Sequence, residues 1–289
     1  MNIYKKISVA ASIVAMAVLS SCSDKGYWDE APSKQEFYFT SSSYEETLSP
    51  GANEIVIPVE RLYTESTESV EVVFTPGDNC PSDITVESLL KYEVGSNTAN
   101  VVIKIENAVP PFTYSGKLTF KDKANESYSG VSSVTINCPV AYTWVSLGKG
   151  KFTDAFVMEE GEFSVEILKA DGFERYRVVE PYKEYYTTVG QEAWLDWIAG
   201  TGPEFVEFWE NESGKLSFKS YATGLNYQAV PGQAIGAYSW DVFGEDSGYT
   251  GDNDIWYQPG FAVLSPVYYI SGVGGFGQQK YAVQIQLPE

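Results

Sequence analysis

The sequence predicts an all-β protein in two successive bodies, an antiparallel sandwich followed by a second sandwich or barrel-like domain with at most one short helix. Three observations predict it. From Glu36 onward, short runs of alternating apolar and polar residues are separated by turn residues every ten or so positions, the pattern of half-buried strands. Long amphipathic helical stretches are missing. The aromatic load is uneven: residues 141–289 carry six Trp, thirteen Tyr and ten Phe, against one Trp, eight Tyr and five Phe before them.

The first 35 residues read as an address. Lys5 and Lys6 precede an uncharged, mostly small and apolar run from Ile7 to Leu19, and Leu19-Ser20-Ser21-Cys22 follows. This is the charged, apolar, small-residue order of a secretory leader. The run is shorter than the roughly 20 residues that cross a bilayer as a helix. The Leu-Ser-Ser-Cys ending resembles the lipobox of bacterial lipoproteins. That resemblance implies cleavage after residue 21 and acylation of Cys22, so that residues 1–21 are a leader and the partner of Cys22 is a membrane. Two acyl chains make a stable anchor where one gives only reversible binding. Residues 22–35 form a polar, acidic tether, and Ser23-Asp24-Lys25-Gly26-Tyr27-Trp28-Asp29-Glu30 resembles the acidic export signal of Bacteroidetes surface lipoproteins. It implies an outer-membrane lipoprotein exposed at the cell surface, although Lys25 and Gly26 interrupt the acidic cluster.

Residues 36–140 contain the first series of strands. Gln35–Phe39 opens it, Asn53–Val59 follows the Pro50-Gly51 turn, and Ser69–Phe74 ends at Pro76-Gly77-Asp78. Ala99–Ile105, Gly116–Phe120 and Ser132–Ile136 come next. About seven strands at this spacing fit an Ig-like sandwich. The order Ser43-Tyr44, Ile55–Arg61, Asp83-Ile84-Thr85, Tyr92–Gly95 and Val101–Ile105 is similar to the Calx-β type of extracellular sandwich. Calcium-binding members of that family gather carboxylates at one end of the sandwich, and these loops carry no comparable acidic run, so a spacer or display role is expected.

Residues 141–289 again read as strands, at Lys151–Thr153, Phe163–Leu168, Tyr176–Val179, Phe205–Trp209, Lys215–Phe218, Phe261–Leu264 and Tyr281–Gln286. Gln191–Ile198 is the one candidate for two helical turns. Trp144–Gly150 with Tyr176–Tyr182 resembles the C-terminal β-domain of uncharacterised Bacteroidetes lipoproteins, which supports the address and implies no chemistry.

Composition excludes several functions. Cleavage after residue 21 leaves 17 basic side chains against 39 acidic, a net charge near −22, and such a body repels nucleic-acid backbones. There is no histidine, which removes Ser-His-Asp and Cys-His catalysis and histidine-ligated zinc. In an exported chain disulfides persist. A Cys80–Cys138 bridge would close a loop of about 59 residues and stabilise the fold by about 4 kcal/mol; spacing alone leaves the bridge open.

Four features are candidates for chemistry. Gly272-Val273-Gly274-Gly275-Phe276-Gly277 spells G-x-G-x-x-G, but it leads into a strand, not a helix, and reads as a hairpin. Asp246, Asp252 and Asp254 crowd a glycine-containing stretch with Asp241 and Glu245, where oxygen ligands could hold calcium, without EF-hand spacing. The aromatics Tyr185, Tyr186, Trp194, Trp197, Trp240, Tyr249, Trp256 and Tyr257, with Tyr182 beside them, lie between the alternating runs. Flat rings in loops stack on sugars while neighbouring polar groups bond hydroxyls; the competing reading is that they pack the core. Among the carboxylates no pair stands out for glycoside hydrolysis. The expectation is a non-catalytic surface protein, without cofactor unless calcium, whose second body binds carbohydrate or another envelope ligand. The alternatives are a structural or adhesion protein with an envelope protein partner, and a carboxylate-dependent glycosidase.

Overall fold

The structure, a computed structural model, describes residues 36–289 apart from 129, 159–160, 189–194, 198–201, 228 and 230–231, and leaves out the side chains of 186–188, 195–197 and 245. The leader, the tether with Cys22, and Trp194 lie outside the described residues. No helix among those residues is long and apolar enough to cross a membrane.

Nine strands come first: β1 (Phe37–Phe39), β2 (Ser43–Glu45), β3 (Glu54–Arg61), β4 (Glu68–Pro76), β5 (Ile84–Glu87), β6 (Leu89–Tyr92), β7 (Thr98–Ile105), β8 (Thr113–Phe120) and β9 (Ser133–Pro139). They form two sheets, in the orders β1-β3-β7-β5 and β2-β9-β8-β4-β6. Alternation buries Ile55, Ile57 and Val59 of β3 and Val101, Ile103 and Ile105 of β7 on one side, with Val70, Val72, Leu118, Phe120, Val134 and Ile136 completing the same core. The last residue of β3, Arg61, is 2% exposed. Its charge is tolerated because its guanidinium donates to the carbonyls of Ser96 (2.8 Å), Ser66 (2.7 Å) and Glu93 (2.7 Å) and lies over the Tyr92 ring. The Cys80–Cys138 bridge is absent, and both thiols are free. Cys138 faces the core from β9, whereas Cys80 sits in the turn after β4, tied by its N–H to Gly77 O (3.1 Å). Burial pushes both thiols above the ordinary range, so they act as small apolar groups.

The remaining strands are β10 (Trp144–Asp154), β11 (Phe163–Ala170), β12 (Arg175–Val179), β13 (Leu195–Trp197), β14 (Phe205–Glu210), β15 (Leu216–Phe218), β16 (Tyr221–Tyr227), β17 (Ala234–Tyr238), β18 (Ile255–Gln258), β19 (Phe261–Leu264), β20 (Val267–Ile270), β21 (Gly274–Gln278) and β22 (Val283–Gln286). The α-helix described among these residues is α1 (Lys183–Thr188). It lies before the stretch expected to be helical, and the part of that stretch described, Leu195–Trp197, is a strand paired with Leu225–Tyr227. Gly274–Gln278 pairs with β20 in a hairpin, so the glycine motif lacks the helix that phosphate binding needs.

Eight strands run in the order β15-β14-β12-β11-β10-β22-β19-β18, and five in the order β13-β16-β17-β20-β21. The larger sheet curls until its edges meet. Leu216 N–H of β15 donates to Asp254 O just before β18 (2.8 Å), Lys215 pairs with Asp252, and Trp256 Nε1 donates to Glu210 Oε2 (2.9 Å). The result is a nearly closed barrel that hides its edge strands. Gly150 is essential to the curl, since a Cβ there would stand 2.3 Å from Gln286 O and 2.7 Å from Ile167 Cγ1. Phe152, Ile167, Val178, Val206, Phe208, Leu264 and Ile285 of the large sheet pack with Leu225, Ile235, Ala237, Tyr268 and Ile270 of the smaller one in a second core.

At the heart of that core Asp154 ends β10 wholly buried. Its Oδ2 accepts the hydroxyls of Tyr182 (2.7 Å) and Tyr268 (2.7 Å), its Oδ1 accepts Phe156 N–H (3.1 Å), and the hydroxyls of Tyr182 and Tyr221 lie 3.1 Å apart. Loss of solvation raises the Asp154 carboxyl above its ordinary range, against the lowering by these hydrogen bonds, and drives Tyr182 well upward. Tyr268→Phe keeps the ring and removes one of the two hydroxyl donors. It is expected to cost about 1–3 kcal/mol in urea unfolding with an unchanged m value; unaltered stability would show that the hydroxyl adds nothing.

Candidate functional site

Because side chains alternate across a strand, the residues of the large sheet that turn away from the core form a second surface. On β10 these are Lys149, Lys151 and Thr153, set between the buried Gly150, Phe152 and Asp154. On β22 they are Gln284 and Gln286, between the buried Val283 and Ile285. The register places Lys151 opposite Gln286 and Thr153 opposite Gln284, while Phe261 of β19 stands opposite Gln286 on its other side. Lys151, Phe152, Thr153, Gln284, Gln286 and Phe261, together with Gly161 and Glu162 from the turn before β11, line a cleft of about 270 Å³.

The cleft is polar at its floor and aromatic at one wall. Lys151 Nζ donates to Glu162 Oε2 (2.6 Å), and Thr153 Oγ1 donates to Gly161 O (2.6 Å). Gln286 spends its amide N–H groups on Gly260 O (3.1 Å) and Leu287 O (3.3 Å), and Gln284 Nε2 donates to Tyr281 O (3.4 Å). Among the described residues neither amide oxygen has a protein donor, so both can accept from a ligand hydroxyl. Phe261 is half-buried, and the Tyr257 ring meets it edge-on at 6.0 Å. Tyr257 itself is 71% exposed.

Across β10 the same face continues. Lys149 is opposite Glu166 of β11, and Glu166 is opposite Val179 of β12. With Ser164, Val165, Glu180, Lys183 and Glu184 they line a second cleft, of about 320 Å³. Lys183 Nζ donates to both oxygens of Glu180 (2.7 and 2.6 Å). Glu180 takes a φ of +43°, a left-handed geometry that costs a non-glycine residue of order 1 kcal/mol. Its N–H is held by Glu204 O (2.8 Å).

Further along β12 and β14 the face is filled by a closed stack. Arg177 lies over Trp144 (4.0 Å) and Phe205 (3.7 Å), and Arg175 over Tyr142 (4.9 Å) and Trp209 (4.3 Å). The almost buried Glu207 takes Arg175 Nε–H on one oxygen (2.6 Å) and Arg177 Nε–H on the other (2.8 Å). The rings and guanidiniums cover one another and hold Tyr142 and Trp144, in the chain just after the first core, onto the large sheet.

Of the aromatics singled out in the sequence, those described do not gather in one site. Tyr185, with Tyr182, is sealed in the core, against Phe163 at 5.1 Å, and cannot meet a ligand. Trp256 turns inward onto Tyr176 (5.7 Å) and Phe208 (6.1 Å), because closing the barrel needs a large apolar group at that edge. Trp240 is half-buried over Gly251, where a Cβ would stand 2.3 Å from Nε1, and Tyr249 packs on Phe243 (5.5 Å). The side chains of Tyr186 and Trp197, like all of Trp194, lie outside the described residues. Tyr257 alone of the described set stands well out in solvent. The cleft residues escaped the sequence reading because Lys, Gln and Thr on the polar side of a strand look like ordinary solvent-facing positions. The spacing of Gln284 and Gln286 beside a paired strand was the available signal.

Among the described residues no three His, Cys, Asp or Glu side chains gather as a metal would require. Asp246 is exposed, and Lys215 beside Asp252 holds that carboxyl below its usual range. Asp254 is wholly buried, its Oδ1 accepting Ser265 N–H (2.6 Å) and its Oδ2 without a partner among the described residues. Burial pushes its pKa up to about 7, with the Asp241 charge adding to the rise and the Ser265 hydrogen bond opposing it.

The class defined is an all-β protein with a barrel-like sheet whose outer face carries open polar clefts. No protein-family model and no curated protein matches the chain. Among solved structures, CBD12 from CALX1.2 is similar at 15% identity and a TM-score of 0.31, over 70% of this chain and 79% of that one. A protein of Bacteroides ovatus ATCC 8483, provisionally named as carbohydrate binding, is similar at 10% identity and a TM-score of 0.28, over 86% of this chain and 79% of that one. Likenesses this slight carry no argument about function.

Asp254 makes stability depend on pH. A carboxyl with a raised folded-state pKa binds its proton more tightly folded than unfolded, so its contribution is greatest below about pH 4. It is lost as pH rises toward about 7, a span worth about 4 kcal/mol. Asp254→Asn is expected to match the wild type in thermal unfolding at pH 4 and to exceed it at pH 7.5. A gap that does not change with pH would count against a buried, protonated Asp254.

Proposed function

We propose that this chain is a non-catalytic lipoprotein, tethered to the outer membrane through acylated Cys22 and facing outward, whose residues 141–289 bind carbohydrate while residues 36–140 act as spacer. The observation that carries the binding reading is the cleft on β10, β22 and β19. Among the described residues it offers two amide oxygens without protein donors, a Lys151–Glu162 pair and a Phe261 wall, with the exposed Tyr257 edge-on beside Phe261. Hydroxyl-rich rings need this combination, directional polar partners beside a flat apolar surface. The chain would be a capture element, and its strong acidity would keep it soluble at a crowded surface.

Affinity electrophoresis of the full chain in gels containing xylan, glucan or mannan is expected to show retardation by at least one polymer. Tyr257→Ala and Gln284→Ala should each weaken that retardation several-fold with unchanged circular dichroism. Migration unaffected by every polymer, with unchanged tryptophan fluorescence, would remove the reading. The anchor is tested separately: Cys22→Ser should abolish incorporation of labelled palmitate and release the protein from membranes, and labelling that persists in the variant would exclude Cys22 as the acylated residue.

A further inference from the structure

We infer that the outer face of the barrel takes an internal stretch of an uncharged polysaccharide chain, running across the strands through both clefts. This rests on the carbohydrate reading and specifies its ligand. The two clefts share one face: Lys151 and Thr153 line the first, Lys149 the second, and all three alternate outward along β10. Register sets the two linings side by side. Phe261 stands opposite Gln286, Gln286 opposite Lys151, and Lys151 opposite Ser164, which lines the second cleft. One step along the strands, Lys149 faces Glu166 and Glu166 faces Val179.

Five neighbouring strands, β19, β22, β10, β11 and β12, are crossed. At the ordinary spacing between strands this is an arc of roughly 19 Å around the curled sheet, the length of several sugar rings joined end to end and far more than one. A monosaccharide or a chain terminus would fill one cleft and leave the other unused.

Charge selects the kind of chain. The two linings hold Lys149, Lys151 and Lys183 against Glu162, Glu166, Glu180 and Glu184. Lys151 bonds Glu162, Lys183 bonds Glu180, and Lys149 faces Glu166. The path therefore has no cationic excess, on a chain whose net charge is −20. Polyuronates and sulfated chains gain nothing there, whereas a neutral chain meets alternating donors and acceptors.

The test is calorimetric titration of the full chain with xylo-, cello- and manno-oligosaccharides of increasing length from the single sugar to the hexamer, with polygalacturonate as the charged comparison. In the series whose polymer retards the protein, affinity is expected to rise about tenfold or more from dimer to pentamer and then level off. The double variant Lys149→Ala/Glu166→Ala should weaken pentamer binding several-fold and leave dimer binding unchanged, whereas Tyr257→Ala should weaken both. A single sugar that competes as well as the pentamer, pentamer binding unaltered in the double variant, or tighter binding of polygalacturonate than of any neutral polymer would overturn the inference while leaving carbohydrate binding intact. Silence toward every glycan would overturn both.

Discussion

The second half of this protein depends on one buried carboxyl. Asp154 lies at the end of β10, in the middle of the large sheet, where no water reaches it, and such a group is costly unless its oxygens are bonded. The partners come from chain remote in sequence: Tyr182 before α1, Tyr268 on β20 of the smaller sheet, and the backbone of the turn that follows. An apolar group in its place could pack in several ways, but two hydroxyls aimed at one oxygen fix where β20 and the approach to α1 must lie. Apolar packing in that core supplies most of the stability, while the Asp154 bonds select one arrangement of the two sheets.

That arrangement determines which side of the large sheet is available for binding. The concave side is filled by Phe152, Ile167, Val178, Phe208 and Ile285, so a ligand can meet only the outer side. On it the Arg–aromatic stack around Glu207 occupies one region and binds the start of β10 to β12 and β14. The clefts lie beyond the stack, where β10 and β22 present Lys, Thr and Gln without bulky rings between them. Closure at Leu216 and Asp254 keeps the outer edges of the sheet from pairing with another chain, and it positions β18, which carries Tyr257.

The first body was the more legible half. Its longer strands alternate regularly with one buried face, and the segments Asn53–Val59, Ala99–Ile105 and Gly116–Phe120 all appear as strands within a residue or a few of the positions read from the sequence. In the second body β16, β17, β18, β20 and β21 went unread; Gly224, Gly236 and Gly274–Gly277 interrupt the apolar alternation of β16, β17 and β21. Reading the rings as a surface feature erred for a related reason. Tyr182, Tyr185 and Trp256 fall between alternating runs, which looks like a loop in one dimension, yet Tyr182 and Tyr185 are sealed in the core and the half-buried Trp256, on edge strand β18, turns inward onto Tyr176 and Phe208. Burial of a ring depends on what lies across the core, and that partner is not a neighbour in sequence.

By itself the sequence determined the all-β class, the uneven distribution of aromatics and the absence of imidazole chemistry, because strand alternation and composition are local properties that survive without knowledge of contacts. Only the tertiary structure decided which aromatics are sealed, that Cys80 and Cys138 stay apart, that Asp252 and Asp254 have separate fates, and that Gln284, Gln286, Lys151 and Phe261 share a cleft. Each of these is a question of register and of distant strands brought side by side, and a shift of one residue in a strand would turn all of them to the opposite face.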